Sequence, residues 1–170
     1  MTARWAAGTA KNLADVFISC SRLDRDRVQP IEERLSSLGY SVWWDYGLVS
    51  GRDFSRQIEK ELSAAKAVVV LWCSLSRESE WVRQEALYAK NREKTAPVFI
   101  EKIELPFGFQ FDHTINLADW DGDPQSPALA PLLRDVAALV GRAPSLDAQK
   151  LAAVESKWRG KGAPALPHYA

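Results

Sequence analysis

Residues 67–73 read Ala67-Val-Val-Val-Leu-Trp-Cys73, an unbroken apolar run that decides the fold class. A strand with one solvent-facing side alternates apolar and polar residues, whereas a parallel strand covered on both faces is apolar throughout. The run is far shorter than the roughly 20 apolar residues that a membrane-spanning helix needs. It therefore predicts an interior strand of a parallel sheet that has helices on both faces.

Outward from this run, short apolar strands alternate with amphipathic helices. The first helix has apolar residues at Val28, Ile31, Leu35 and Leu38, the spacing of one helical face. The other elements follow the same logic: strands at 16–18, 40–44, 97–100 and 114–117, and helices near 54–62, 79–91 and 131–140. This order, with the helix between the last two strands short or missing, predicts a parallel sheet whose ligands bind at the carboxyl ends of the strands.

Turn and cap residues mark where these elements begin and end. Ser21 followed by Asp24 has the spacing of a capping box, and Asp53 is the predicted N-cap of the second helix. Gly39 and Gly141 follow the last apolar position of a helix and are predicted to end it. Residues 105–112, rich in Phe, Pro and Gly, are predicted to be a loop.

The composition bounds the class of protein. The chain has 22 basic residues (Lys and Arg) and 22 acidic residues (Asp and Glu), so its net charge is zero. A neutral chain is expected to have neither a nucleic-acid nor a membrane partner. The two cysteines, Cys20 and Cys73, form no metal motif or disulfide framework, and residues 1–12 lack a signal peptide. A cytoplasmic protein is predicted. The chain contains neither a G-x-G-x-x-G dinucleotide fingerprint nor a P-loop.

The regular pattern is confined to the middle of the chain. Residues 1–12 are predicted to be an N-terminal extension, residues 13–143 one domain, and residues 144–170 a C-terminal tail or linker. The last segment is rich in glycine and proline, although Leu151, Val154 and Trp158 have the spacing of a short helix.

Five segments, taken in order, resemble those of a TIR domain. The first of the five combines Asp15–Ser19 and Gly39–Asp45, the two strands at the start of the domain. The other four are Leu48–Phe54 as the BB loop, Ala67–Ser74, Ser79–Glu85 and Ala118–Trp120. The resemblance covers about residues 13–142 and implies the TIR fold, a flavodoxin-like α/β three-layer sandwich with a central five-stranded parallel sheet. One departure is Cys20, where many relatives carry an aromatic residue.

Within this family, the chain resembles the enzymatic branch. Its members hydrolyse NAD⁺ with a glutamate placed four residues after a tryptophan, which here are Glu85 and Trp81. Residues four apart share a helix face, so both side chains can point into one cleft. Nicotinamide leaves as a neutral molecule, so the carboxylate is needed to stabilise the cationic ribose rather than as an acid. The products would be nicotinamide and ADP-ribose or cyclic ADP-ribose, with NAD⁺ as substrate and neither cofactor nor metal.

Further substrate contacts are predicted from the same resemblance. They are Trp81, Asp45, Ser19, Cys20, Ser21, Arg22, Gly51, Phe54 and Trp120. Each has an ordinary structural interpretation as well: Arg22 as a surface arginine, for example, and Asp45 as a loop cap. Trp44, Trp81 and Trp120 are equally well core residues, since aromatic side chains dominate protein cores.

Two functions remain open at the level of sequence. The first is an NAD⁺ glycohydrolase that becomes active when TIR domains self-associate into a homo-oligomer, as in bacterial relatives that serve defence or virulence. The alternative is a non-enzymatic adaptor that binds other TIR domains in signalling, for which Glu85 and Trp81 are not needed. A receiver-like domain shares the strand order but needs clustered acids where Ser19-Cys20-Ser21 stands.

Overall fold

The computed structural model describes residues 13–44 and 52–145. Five parallel strands form one sheet in the order β2-β1-β3-β4-β5, which is the flavodoxin-like order. The strands are β1 (Val16–Ser19), β2 (Val42–Trp43), β3 (Ala67–Trp72), β4 (Thr95–Phe99) and β5 (Ile115–Asn116). The predicted fold class is confirmed.

Helices cover both faces of the sheet. They are α1 (Arg25–Ser37), α2 (Arg52–Ala64), the short α3 (Ser74–Glu78), α4 (Glu80–Lys90) and α5 (Ala130–Val140). The apolar residues of α1 and α5 pack on one face of the sheet, and those of α2 and α4 pack on the other. Between β4 and β5 the described chain forms turns without a helix, as the sequence predicted.

Burial on both faces explains why the central strand β3 is apolar throughout. Val69 and Leu71 lie in the core under α1 and α5, whereas Val70 and Trp72 point to the opposite core under α2 and α4. Every residue of the strand is buried, so no position tolerates a polar side chain. Burying a side chain of this size contributes about 1.5–3 kcal/mol, and β3 therefore stabilises both layers at once.

The strand boundaries differ from the prediction by one or two residues, and at β3 and β4 the cause is visible. The apolar run continues to Cys73, but β3 ends at Trp72 because Cys73 is the N-cap of α3 and, with Ser76, forms its capping box. Strand β4 begins two residues before Pro97. The Phe99 carbonyl accepts a hydrogen bond from the Leu117 amide, so the backbone of Phe99 faces β5. Backbone groups two residues apart in a strand point to the same side, and Pro97 therefore faces β5 as well. The pairing with β5 starts only at Val98. The missing proline N–H therefore costs no ladder hydrogen bond.

Two predicted caps are wrong. In the predicted capping box, Ser21 does act as a cap: it accepts a hydrogen bond from the Leu23 amide at the start of a 3-10 turn. The other half of the box is missing, because the Asp24 carboxylate accepts from the Cys73 thiol instead. The second helix begins at Arg52, so Asp53 is its second residue rather than its N-cap. The glycine stops are confirmed: Gly39 and Gly141 have φ of 87° and 74°, which an L side chain rarely adopts.

The end of the described chain is fastened to the start of the sheet. Arg142 donates to Asp15 Oδ2 over 2.7 Å and to the Gly39 carbonyl, and Tyr40 donates its hydroxyl to the Arg142 carbonyl. Residues 1–12 and 146–170, including the short helix predicted near Leu151, lie outside the described residues. Within the described chain no helix is both long and apolar enough to cross a membrane.

Candidate functional site

A cleft opens beside the carboxyl end of β1, between α2 and α4. Its volume is about 490 Å³, within the range of small-molecule sites. Thirteen described residues line it: Phe17, Ile18, Cys20, Ser21, Arg22, Trp43, Phe54, Ser55, Ile58, Ser79, Trp81, Val82 and Glu85. The position agrees with the expectation that ligands bind at the strand ends of parallel sheets.

Glu85 contributes the acidic side chain of this cleft. It lies in the second turn of α4, and only 8% of the residue is exposed. The Ser79 hydroxyl accepts from the Val82 amide and caps the helix at its first turn, which fixes the backbone that carries Glu85. A carboxylate on a capped helix with limited access to water is held in place and weakly screened.

Trp81 borders the same cleft. It lies one helical turn before Glu85, and 45% of its surface is exposed. Trp81 and Glu85 therefore line one cleft, and Trp81 is not a fully buried core residue. An indole that is half exposed beside a carboxylate offers a flat surface on which an aromatic ligand can stack.

The floor of the cleft is aromatic and apolar. The rings of Phe17 and Trp43 stack with centroids 4.9 Å apart and planes inclined by 26°. Ile58 from α2 and Val82 from α4 are buried beside them. This floor limits solvation around Glu85, which strengthens any charge interaction made there.

Arg22 forms the opposite, basic side of the cleft. Its guanidinium lies over the ring of Phe54, 5.1 Å from the centroid. Cys20 and Ser21 lie between β1 and Arg22 and also line the cleft. Among its described lining residues the cleft therefore combines a guanidinium with a largely buried carboxylate, which suits a ligand that has a negative and a positive part.

Two predicted contacts lie elsewhere. Ser19 still belongs to β1, opposite Val70, and is buried below the lining residues. Its hydroxyl has no hydrogen-bond partner within the described chain. Trp120 follows β5, separated from β1 by β3 and β4, and donates its Nε1 to the Asp123 carbonyl. Asp45 and Gly51 lie outside the described residues.

Several lining residues were missed by the sequence reasoning. The sequence pattern does not single out Phe17, Trp43, Ile58 or Val82, because an apolar residue that floors a cleft has the same periodicity as one that fills the interior. Ser55, one residue after Phe54, also lines the cleft. Its position next to Phe54, a predicted contact, is the sequence feature that could have identified it.

A polar network, buried at Asp24 and Cys73 and partly exposed at Arg27 and Glu101, holds the turn that carries Arg22. The Cys73 thiol donates to Asp24 Oδ2 over 2.8 Å, and burial together with this hydrogen bond raises the pKa of the thiol. Arg27 donates to Glu101 over 2.7 Å and lies 3.8 Å from Asp24. The hydrogen bond from Arg27 lowers the pKa of the Glu101 carboxyl. These contacts tie the turn after β1 to the ends of β3 and β4, so Arg22 is presented from a fixed turn.

A comparison with protein-family models identifies the family. The model described as the TIR domain matches residues 16–133, which include all five strands and the whole cleft. The chain belongs to the TIR domain family. A search of curated proteins found no match.

Solved structures agree with this assignment. The TIR domain of the Toll-related receptor TRR-2 from Hydra magnipapillata superposes with a TM-score of 0.60 and 17% sequence identity. The match covers 72% of this chain and 98% of that one. At this level of identity the likeness establishes the TIR fold and leaves activity to be argued from the cleft.

Proposed function

We propose that this TIR domain is an NAD⁺ glycohydrolase that cleaves the bond between nicotinamide and ribose. The observation that carries the proposal is the Glu85 carboxylate, fixed and largely buried on the wall of a cleft of suitable size. An ordinary helix glutamate is exposed to water, whereas one held inside a cleft is a typical feature of a functional site.

The reaction suits a single carboxylate. The C–N bond breaks with both electrons moving to the nicotinamide ring, whose positive charge is thereby neutralised. Positive charge develops on the ribose, where the Glu85 carboxylate stabilises it. A water oxygen then bonds to the same carbon and loses a proton, which gives ADP-ribose. Attack by an adenine nitrogen of the same molecule would give the cyclic product instead.

The rest of the cleft supplies binding contacts for this substrate. Trp81 offers a half-exposed ring for stacking against nicotinamide or adenine. Arg22 offers a charge-assisted hydrogen bond to the pyrophosphate, and its position over Phe54 limits its freedom. Cys20 and Ser21 complete this wall. We place the reaction in the cytoplasm, in keeping with Cys20 and Cys73, which form no disulfide within the described chain.

The adaptor function is the second candidate, and exposed apolar residues favour it. Leu23, which follows the cleft residue Arg22 in the chain, is 80% exposed, and Trp81 at the cleft is 45% exposed. Apolar side chains exposed around one cleft are typical of a protein-binding surface. Binding to other TIR domains and catalysis are compatible, because assembly of the domains would activate the enzyme.

Incubation of the purified protein with NAD⁺ tests the proposal. We expect release of nicotinamide, followed by chromatography and mass spectrometry, with a specific activity that rises over about two decades of protein concentration as self-association proceeds. Constant specific activity would contradict activation by assembly. A protein that releases no nicotinamide even at its highest concentration would contradict the enzymatic function and favour the adaptor.

Replacing Arg22 tests the binding of the pyrophosphate. We expect Arg22→Ala to raise KM for NAD⁺ by about tenfold or more, since a hydrogen bond to a charged group contributes about 1.5–3 kcal/mol. The value of kcat should change little, because the phosphates carry the same charge in substrate and transition state. Arg25→Ala, three residues along and not among the lining residues, is the matched control. Equal KM values for the two variants would remove Arg22 from the site.

A further inference from the structure

Asp24 is a buried carboxylate that lies outside the cleft but close to it in the chain. Only 3% of the residue is exposed, and it is not among the described residues that line the cleft. Acidic side chains are almost never buried unless they are paired, because burial removes the water that stabilises their charge. Asp24 follows Arg22, the basic side of the cleft, by two residues. Its contacts therefore affect where Arg22 is held.

Two neighbours in the fold stabilise the charge of Asp24. The Cys73 thiol, which follows β3, donates to Asp24 Oδ2 over 2.8 Å, and Nε of Arg27 in α1 lies 3.8 Å from Oδ1. Burial and the hydrogen bond to Asp24 raise the pKa of the Cys73 thiol. The thiol therefore keeps its proton at neutral pH and remains a donor to the carboxylate.

Cys73 is itself held in place by the start of α3. Its sulfur accepts from the Ser76 amide over 3.4 Å, and its own amide donates to the Ser76 hydroxyl over 2.8 Å. Both residues are completely buried. A thiol that donates to one partner and accepts from another cannot rotate without losing one of these bonds. Cys73 thus fastens Asp24 to the end of the central strand.

The 3-10 turn between β1 and α1 passes the position of Asp24 on to Arg22. The Asp24 amide donates to the Ser21 carbonyl over 3.0 Å and closes the turn in which Arg22 lies. From this turn the Arg22 guanidinium reaches the ring of Phe54 in α2, 5.1 Å from its centroid. Arg22 is exposed, so its own packing does little to fix the backbone. Asp24 is the buried residue of the turn and fixes it instead.

We propose that Asp24 is a positioning residue, which acts through Arg22 to set how tightly the cleft binds the phosphates of its substrate. This proposal rests on the proposed function, in which Arg22 binds the pyrophosphate of NAD⁺. A role confined to folding would lower the free energy of unfolding and leave KM unchanged. A positioning role raises KM and leaves kcat unchanged, because Arg22 binds substrate and transition state alike.

Steady-state kinetics of NAD⁺ hydrolysis test the proposal. Asp24→Asn and Cys73→Ala should each raise KM by about three- to tenfold and leave kcat within about twofold, since a small displacement of a binding group is costly. The increase should not exceed that of Arg22→Ala. Cys73→Ser should return KM to within about twofold of the wild type, because a hydroxyl can still donate to Asp24 and accept from Ser76.

Two control variants separate this effect from charge and from lost stability. Asp26→Asn makes the same change at an exposed residue of α1, and Val136→Ala truncates a buried residue of α5, and both should keep the wild-type KM. In an Arg22→Ala background, Asp24→Asn should raise KM by less than about twofold, because the residue through which it acts is gone. Equal increases in both backgrounds, or a Cys73→Ser protein no better than Cys73→Ala, would overturn the proposal.

Hydrogen exchange of the turn distinguishes failure of this proposal from failure of the proposed function. In Asp24→Asn the amides of residues 23 and 24, both bonded to Ser21, should exchange at least about tenfold faster. This increase should exceed that of the β3 amides, which report global unfolding. Unchanged exchange of the turn would overturn the proposal. Because the measurement contains no NAD⁺, faster exchange in a protein that leaves NAD⁺ intact would disprove the proposed function alone.

Discussion

Glu85→Gln is expected to lower kcat for nicotinamide release from NAD⁺ by about 10³-fold, in line with the loss of a preorganised charge that stabilises a transition state. The amide keeps the volume of the side chain but removes the negative charge that would face the cationic ribose. The value of KM should change much less, because the charge that Glu85 stabilises develops only as the bond breaks. Steady-state kinetics of the assembled protein measure both constants.

Glu80→Gln is the matched control for this variant. Glu80 lies on the same helix and is exposed outside the cleft, so the same change of charge there should leave kcat within about twofold. Thermal unfolding should show that both variants remain folded. An active Glu85→Gln protein would disprove the assignment of the catalytic residue. Equal losses of kcat in both variants would indicate that the overall charge of α4, and not the Glu85 carboxylate itself, affects the reaction.

Trp72→Ala is expected to lower the free energy of unfolding by about 3–5 kcal/mol, the cost of truncating a buried tryptophan. Trp72 ends β3 in the core under α2 and α4, is 1% exposed and packs against Phe109. The change leaves a cavity in a close-packed layer and removes the ring against which Phe109 packs. Urea denaturation measures the loss, which is a large part of the stability of a domain of this size.

Trp120→Ala is the control for tryptophan truncation. Trp120 is only partly buried and lies at the far edge of the sheet, so its loss should be clearly smaller. If the two variants were equally stable, the aromatic core under α2 and α4 would not be the stabilising layer that the packing indicates.

The sheet was predictable because its signals are local. A strand buried on both faces must be apolar at every position, and residues 67–72 satisfy that condition wherever the strand is placed. Helix ends were less predictable, since a cap depends on which partner reaches it. Asp24 has the spacing of a capping-box acid, yet its carboxylate binds Cys73, 49 residues away in sequence. Long-range pairing of this kind leaves no local pattern.

The candidate site was predictable in part. Residues Trp81 and Glu85 share a cleft because helical geometry places residues four apart on one face. Ser19 and Trp120 were misplaced for different reasons. Ser19 remains within β1, so its side chain is covered, whereas Trp120 follows β5 at the opposite edge of the sheet. Nearness to a strand end does not specify which strand end forms the cleft.

By itself, the sequence determined the alternation of strands and helices, the doubly covered central strand and the acid and tryptophan that share a helix face. These follow from periods of two and about 3.6 residues, which are properties of neighbouring residues. Only the tertiary structure decided how deeply Glu85 is buried, that Phe17 and Trp43 floor the cleft, and that Phe107 and Phe111 face solvent. Burial depends on which distant segments pack together, and chain periodicity does not encode that directly.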